Sequence, residues 1–128
     1  MAKYFLVMLG GALGAVSRFI VGTLVASRYT ALFPLGTFLI NVTGSFVIGV
    51  LMMLFLNRPS IDVNWRLFLV TGILGGYTTF SSFEWESFAA FRGGAPMVAL
   101  SYLVSSLVVG LVGVWVGAMI SNRLWPHS

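Results

Sequence analysis

The sequence predicts an all-α membrane protein with four transmembrane helices. Of its 128 residues, 59 % are hydrophobic and only 8 % are charged, whereas a soluble domain carries roughly a quarter charged residues. So little polar surface cannot cover a globule in water, and the surrounding solvent must therefore be lipid. Crossing a bilayer takes roughly 20 mostly apolar residues per helix. This length accommodates four such spans with their loops, and a fifth would leave almost no connections.

The rarity of reactive side chains excludes several classes of function. The chain has no cysteine and a single histidine, His127, which rules out disulfides, thiol catalysis, the usual metal clusters and a Ser-His-Asp triad. No lysine follows the glycines as in a P-loop. The net charge is +4, but the basic residues are scattered singly, as is typical of residues that flank membrane spans. We therefore expect no nucleic-acid partner.

Four apolar runs define one membrane domain over residues 1–128. The runs cover about residues 4–26, 35–56, 65–91 and 97–120, and the third is interrupted at about 75–80. Asn57-Arg58-Pro59 ends the second run with a strong helix stop. An alternative interpretation of the first run is a cleaved signal peptide, but cleavage would leave three spans and discard a patterned helix.

The basic residues predict only a weak preference for one orientation in the membrane. With four spans, both termini lie on one side, which holds four basic residues against two in the opposite loops. The positive-inside rule then favours cytoplasmic termini, although a difference of two residues is small. So small a bias permits insertion both ways round, and with it an antiparallel homodimer.

One arginine lies inside the first span. Arg18 shares a helix face with Gly10, Gly14 and Gly22, and small residues at four-residue spacing are typical of close helix contact. Because charge inside a bilayer is expensive, we expect Arg18 to point into protein or water. It either reaches the interface or caps carbonyls, or it supplies positive potential near an anion route.

Polar stripes run along the second and fourth spans, since residues four apart share a helix face. The stripes are Thr37, Asn41, Ser45 and Gly49 in the second span, and Tyr102, Ser106, Gly110, Gly113 and Gly117 in the fourth. Asn41 is the costly member, because an amide in hydrocarbon needs partners. It either joins helices by a hydrogen bond or lines a pore, where its NH₂ replaces water around an anion.

The middle of the third span is unsuited to a straight helix. Residues 72–83 read GILGGYTTFSSF, in which adjacent glycines and paired threonines weaken helical structure. Non-helical backbone at membrane depth survives only inside protein or beside a cavity, and carbonyls at such a break can hold Na⁺. Phe80 and Phe83 share a face, either as core packing or with their positive ring edges toward an anion.

Glu84 and Glu86 point apart, so no paired acid–base site is expected, and one of them is expected to cap or ion-pair near the membrane surface.

Three motifs together resemble the bacterial fluoride channels, the Fluc or CrcB family. Residues 75–83, GGYTTFSSF, are similar to the family signature in the third span. Residues 36–41, GTFLIN, are similar to its second-span motif, and residues 14–18, GAVSR, to its first-span arginine. The resemblance covers the whole chain in order. It implies a passive channel in the bacterial plasma membrane, not an enzyme, that lets cytoplasmic fluoride leave down its electrochemical gradient.

The resemblance also implies an antiparallel, dual-topology homodimer with two pores and roles for individual residues. It assigns the pore to Asn41, Phe80, Phe83, Tyr102 and Ser106, and supporting positions to Arg18, Thr37, Thr79 and Glu86. The carbonyls of Gly75 and Thr78 match those that hold a central, structural Na⁺, which is not transported. Gly110 stands where some relatives carry a second serine, which puts a continuous hydroxyl track in question.

Two other classes of function compete with this one. A small multidrug-type exporter also has four spans and dual topology, but such proton-coupled pumps keep a glutamate inside the first span, where this chain has Arg18. A structural or accessory membrane subunit would use its polar residues only to join helices. Substitution of Phe80 separates a structural subunit, which would lose assembly, from a channel, which would keep its assembly and lose flux.

Overall fold

Helix is the only regular structure within residues 1–126, the part of the chain that the computed structural model describes, and His127 lies outside it. The helices are α1 (Ala2–Ala26), α2 (Leu35–Asn57), α3 (Val63–Arg66), α4 (Gly75–Tyr77), α5 (Phe80–Arg92) and α6 (Pro96–Leu124). A π-helical segment, Leu67–Leu74, joins α3 to α4. Among the described residues, α1, α2 and α6 are long and apolar enough to cross a membrane. The predicted class, an all-helical membrane protein, is confirmed.

Two pairs of closely packed helices build the fold. Helix α1 packs along the π-helical segment and α4, while α2 packs along α6. Helix α5 covers the first part of α6. Glycines permit both close approaches: a Cβ added at Gly14 of α1 would overlap the Ile73 carbonyl, and one added at Gly117 of α6 would overlap the Phe46 carbonyl. The small residues therefore set how closely the backbones approach, as in other membrane helix pairs.

Replacement of Gly14 by alanine is expected to lower the free energy of unfolding by about 1–3 kcal/mol. The added methyl would overlap the Ile73 carbonyl oxygen and lie 2.8 Å from the Tyr77 nitrogen, and backbone cannot move aside as a flexible side chain does. Thermal or denaturant unfolding in detergent measures the change. Gly11→Ala is the matched control, because nothing lies within 4 Å of its added Cβ. Equal stabilities for the two variants would contradict the packing described above.

The ends of α2 and α6 are tied together by one fully buried amide. Asn57, the last residue of α2, donates from Nδ2 to Asn122 Oδ1 at 2.9 Å and to the Trp125 carbonyl at 2.7 Å. The second bond satisfies the carbonyl of Trp125, which follows α6 and has no partner within the helix. Helix α6 accordingly continues to Leu124, four residues past the end that the apolar run predicts.

Candidate functional site

The helical path from residue 63 onward is interrupted after Tyr77. Thr78 (φ −78°, ψ 158°) and Thr79 (φ −148°, ψ 122°) are extended, and α5 begins at Phe80. Locally, the Thr79 side chain caps α5 by accepting from the Ser82 N–H at 3.4 Å. The Thr78 hydroxyl donates back to the Leu74 carbonyl at 2.9 Å. The two threonines, which are poor helix formers, thus occupy the extended positions, and each side chain bonds to the helix beside it.

Asn41 of α2 holds this extended segment by pairing with both backbone groups of one residue. Its Nδ2 donates to the Thr79 carbonyl at 2.9 Å, and its Oδ1 accepts from the Thr79 N–H at 2.8 Å. In a continuous helix, that N–H would donate to the Gly75 carbonyl four residues earlier. Asn41 thereby replaces the missing helical bond of the Thr79 N–H, and its amide NH₂ has a second hydrogen left to donate.

Arg18 approaches the same segment from α1. Its Nη1 lies 3.4 Å from the Thr78 carbonyl, and the side chain is half-buried. Of the interpretations of Arg18 that the sequence left open, the structure therefore includes the capping of a carbonyl, that of Thr78. The guanidinium also brings a positive charge to the interruption. Arg18 and Glu86 line one common cleft, described below.

A carboxylate held by two hydroxyls joins three helices. Thr37 Oγ1 of α2 donates to Glu86 Oε1, and Tyr102 Oη of α6 donates to Glu86 Oε2, both at 2.7 Å. Tyr102 is completely buried, whereas Glu84 is exposed on another face of α5. Among residues 1–126, hydroxyl groups rather than a cation thus hold Glu86. The hydroxyl of Tyr102, which the resemblance assigned to the pore track, is occupied by this bond.

Two clefts meet at the interruption. The first has a volume of about 370 Å³, and its lining brings together Asn41, Ser45, Gly75, Thr78, Thr79, Phe80, Phe83 and Ser106. The second has a volume of about 360 Å³, and its lining includes Arg18, Thr37, Thr79, Ser82 and Glu86. Thr79 borders both. Of the candidate residues from the sequence, only Tyr102 lines neither cleft.

The two phenylalanines of the first cleft have different environments. Phe83 is 7 % exposed and packs against Tyr102, with ring centroids 5.1 Å apart and planes at 63°. Phe80 is 69 % exposed, and its centroid lies 6.1 Å from that of Phe83. Phe83 therefore combines core packing with lining, and Phe80 has a large free surface at the cleft.

Hydroxyl and amide groups in the first cleft supply hydrogen-bond donors without a full positive charge. Ser106 Oγ is buried and has no hydrogen-bond partner among residues 1–126, which leaves its proton available to an ion. The amide of Asn41 and the exposed ring of Phe80 complete a lining suited to a small anion. The π-helical segment and the bonds from Thr37 and Tyr102 to Glu86 were missed by sequence reasoning, although the four-residue spacing had placed each of the two hydroxyls on the polar face of its helix.

The family pattern described as CrcB-like protein, Camphor Resistance (CrcB), matches residues 5–118. The chain belongs to the CrcB family. Curated CrcB relatives include the fluoride-specific ion channel FluC of Solibacter usitatus, 47 % identical over 121 residues, which are 94 % of this chain and 99 % of that protein. FluC of Acidobacterium capsulatum is 44 % identical over 122 residues, 95 % of this chain and 98 % of that protein. FluC 2 of Clostridium acetobutylicum is 38 % identical over 119 residues, 93 % of this chain and 97 % of that protein. The resemblance inferred from the motifs is confirmed.

Proposed function

We propose that this protein is a fluoride-selective passive ion channel. The observation that carries the proposal is the first cleft, whose lining brings together the amide of Asn41, the hydroxyl of Ser106 and the ring of Phe80 beside non-helical backbone. The CrcB relatives that match this chain over nearly their whole length are named fluoride-specific ion channels. The proposal includes no enzymatic step, because conduction makes and breaks no covalent bond.

The direction of transport follows from acid–base chemistry. Hydrogen fluoride crosses membranes as a neutral weak acid and ionises in the near-neutral cytoplasm, where the anion is trapped. A passive channel in the bacterial plasma membrane releases that fluoride down its electrochemical gradient. Small, strongly hydrated fluoride can exchange its water for the amide and hydroxyl donors of the cleft. Selection against chloride then depends on a narrow route in which every lost water is replaced by a donor or ring edge.

The membrane arrangement that we propose has four spans and two antiparallel copies. Helices α1, α2 and α6 form three spans, and the fourth crossing is the interrupted stretch from α3 to α5. Asn41 satisfies both backbone groups of Thr79, as the bilayer requires of backbone at that depth. The weak charge bias permits both orientations. Each copy of such a homodimer contributes one cleft, which makes two pores.

The Gly75 carbonyl fits the structural Na⁺ that this arrangement includes, and the Thr78 carbonyl would join it by exchanging its 3.4 Å contact with the Arg18 guanidinium for the ion. Gly75 and Thr78 line the first cleft, and the N–H that would occupy the Gly75 carbonyl in a continuous helix donates to Asn41 instead. Carbonyl oxygens at an interrupted helix are suitable ligands for Na⁺. Two carbonyls from each copy would hold the ion at the centre of the dimer, where its charge would neutralise the converging carbonyl dipoles. The chain would hold this ion in place and not carry it across.

Reversal potentials in planar bilayers test passive, fluoride-only conduction. For a tenfold fluoride gradient, we expect a reversal potential of about 59 mV, the value for one charge per ion. A Na⁺ gradient imposed at equal fluoride should give zero, because Na⁺ is fixed. A shift with the Na⁺ gradient would indicate coupled transport, and a reversal potential that follows chloride would contradict the selectivity.

A further inference from the structure

The row of hydroxyls along α6 stops at Gly110. Tyr102, Ser106 and Gly110 lie at successive turns on one face. The Tyr102 hydroxyl is occupied by Glu86 at 2.7 Å, while Ser106 Oγ is buried and unpartnered among residues 1–126. Beyond Ser106, an ion that moves along this face finds no hydroxyl from α6 at the next turn.

A serine on the neighbouring helix lies directly opposite this gap. A Cβ added at Gly110 would lie 3.4 Å from Ser45 Oγ and 4.0 Å from Ser45 Cβ. The Ser45 hydroxyl is therefore at the level that a side chain at position 110 would take. Ser45 follows Asn41 by one turn of α2, and both line the first cleft together with Ser106.

We propose that Ser45 contacts the permeating ion and supplies from α2 the hydroxyl that α6 lacks at Gly110. A serine O–H rotates freely and can turn toward an anion. With it, Asn41 and Ser45 on α2 and Ser106 on α6 form a row of donors with no turn left empty. This inference rests on the proposed function and adds one ion contact to it.

A hydroxyl swap between the two helices tests the proposal. Ser45→Ala is expected to reduce fluoride efflux from liposomes about tenfold, because the variant loses one hydrogen bond to a charged ion. Gly110→Ser added to that variant is expected to restore efflux to within about threefold of the original rate, since removal of Ser45 Oγ frees the space that the new side chain needs. Ser101→Ala is the matched control, because that exposed hydroxyl donates to the Val98 carbonyl of its own helix, outside both clefts.

The other outcomes overturn the proposal in distinguishable ways. Unchanged efflux from Ser45→Ala would remove Ser45 from the ion path while leaving the channel intact. Reduced efflux that Gly110→Ser does not restore would show that the hydroxyl at this level is not what Ser45 contributes. No fluoride efflux from the unmodified protein would contradict the proposed function itself. Gel filtration of every variant checks folding, and Ser45→Gly replaces Ser45→Ala if the latter does not elute like the unmodified protein.

Discussion

Replacement of Asn41 by leucine is expected to reduce fluoride efflux at least about 100-fold and to lower the free energy of unfolding by about 2–5 kcal/mol. The substitution keeps the branched shape but leaves the Thr79 N–H without its partner and removes the Nδ2–H bond to the Thr79 carbonyl. Each unsatisfied buried polar group costs about 1–3 kcal/mol, and lipid offers no replacement. The substitution also reduces efflux directly, because Asn41 contributes an amide N–H to the first cleft. Liposome efflux and thermal unfolding in detergent measure the two effects separately.

Thr43→Val is the matched control for Asn41. Thr43 also lies on α2 and also contacts the 63–77 stretch, through a 2.9 Å hydrogen bond with the Tyr77 hydroxyl. It is exposed and lines neither cleft, so we expect little change in flux. If Asn41→Leu matched this control in both flux and stability, the amide could not be what holds the interruption.

Replacement of Phe80 by isoleucine is expected to leave the protein folded and assembled while reducing fluoride efflux roughly 100-fold, which corresponds to about 2.7 kcal/mol of barrier. At 69 % exposure, the ring has little packing to lose. Its positive edge, which an aliphatic side chain lacks, is what an anion in the cleft would contact. Gel filtration and fluoride efflux, measured on the same preparation, separate assembly from conduction.

Phe88→Ile is the control for Phe80, because Phe88 lies on the same helix, is 51 % exposed and is outside both clefts. We expect its flux and elution to match those of the unmodified protein. Loss of assembly in Phe80→Ile with flux per assembled protein unchanged would favour the structural-subunit interpretation. Phe83 is a poorer test, since its burial against Tyr102 makes packing and conduction change together.

Much of this molecule could be predicted because its main determinants are local. Apolar composition is sufficient for the membrane class, and adjacent glycines with paired threonines weaken the helix where Thr78 and Thr79 are extended. The π-helical segment could not be predicted, because its apolar sequence, LFLVTGIL, suits an α-helix equally well. A π-helical turn contains about one residue more than an α-helical turn. Whether that residue is accommodated depends on packing against α1, which the hydrophobic periodicity of the sequence does not show.

The roles of the polar residues depended on tertiary placement. Four-residue spacing showed that Thr37 and Asn41 share a face, but it could not show that the first meets Glu86 and the second meets Thr79. The same pattern left Tyr102 as a pore candidate, whereas its hydroxyl donates to Glu86. Ser45 belonged to a predicted stripe, and only its position opposite Gly110 led to its proposed role as an ion contact.

Anion release from liposomes tests the central proposal most directly. Purified protein would be reconstituted into vesicles loaded with either potassium fluoride or potassium chloride, and ion-selective electrodes would follow each anion after a K⁺ ionophore is added. The donors and the aromatic ring that line the first cleft predict rapid fluoride release with negligible chloride release. Absence of fluoride release from correctly folded protein, or equal release of both anions, would contradict a fluoride-selective channel.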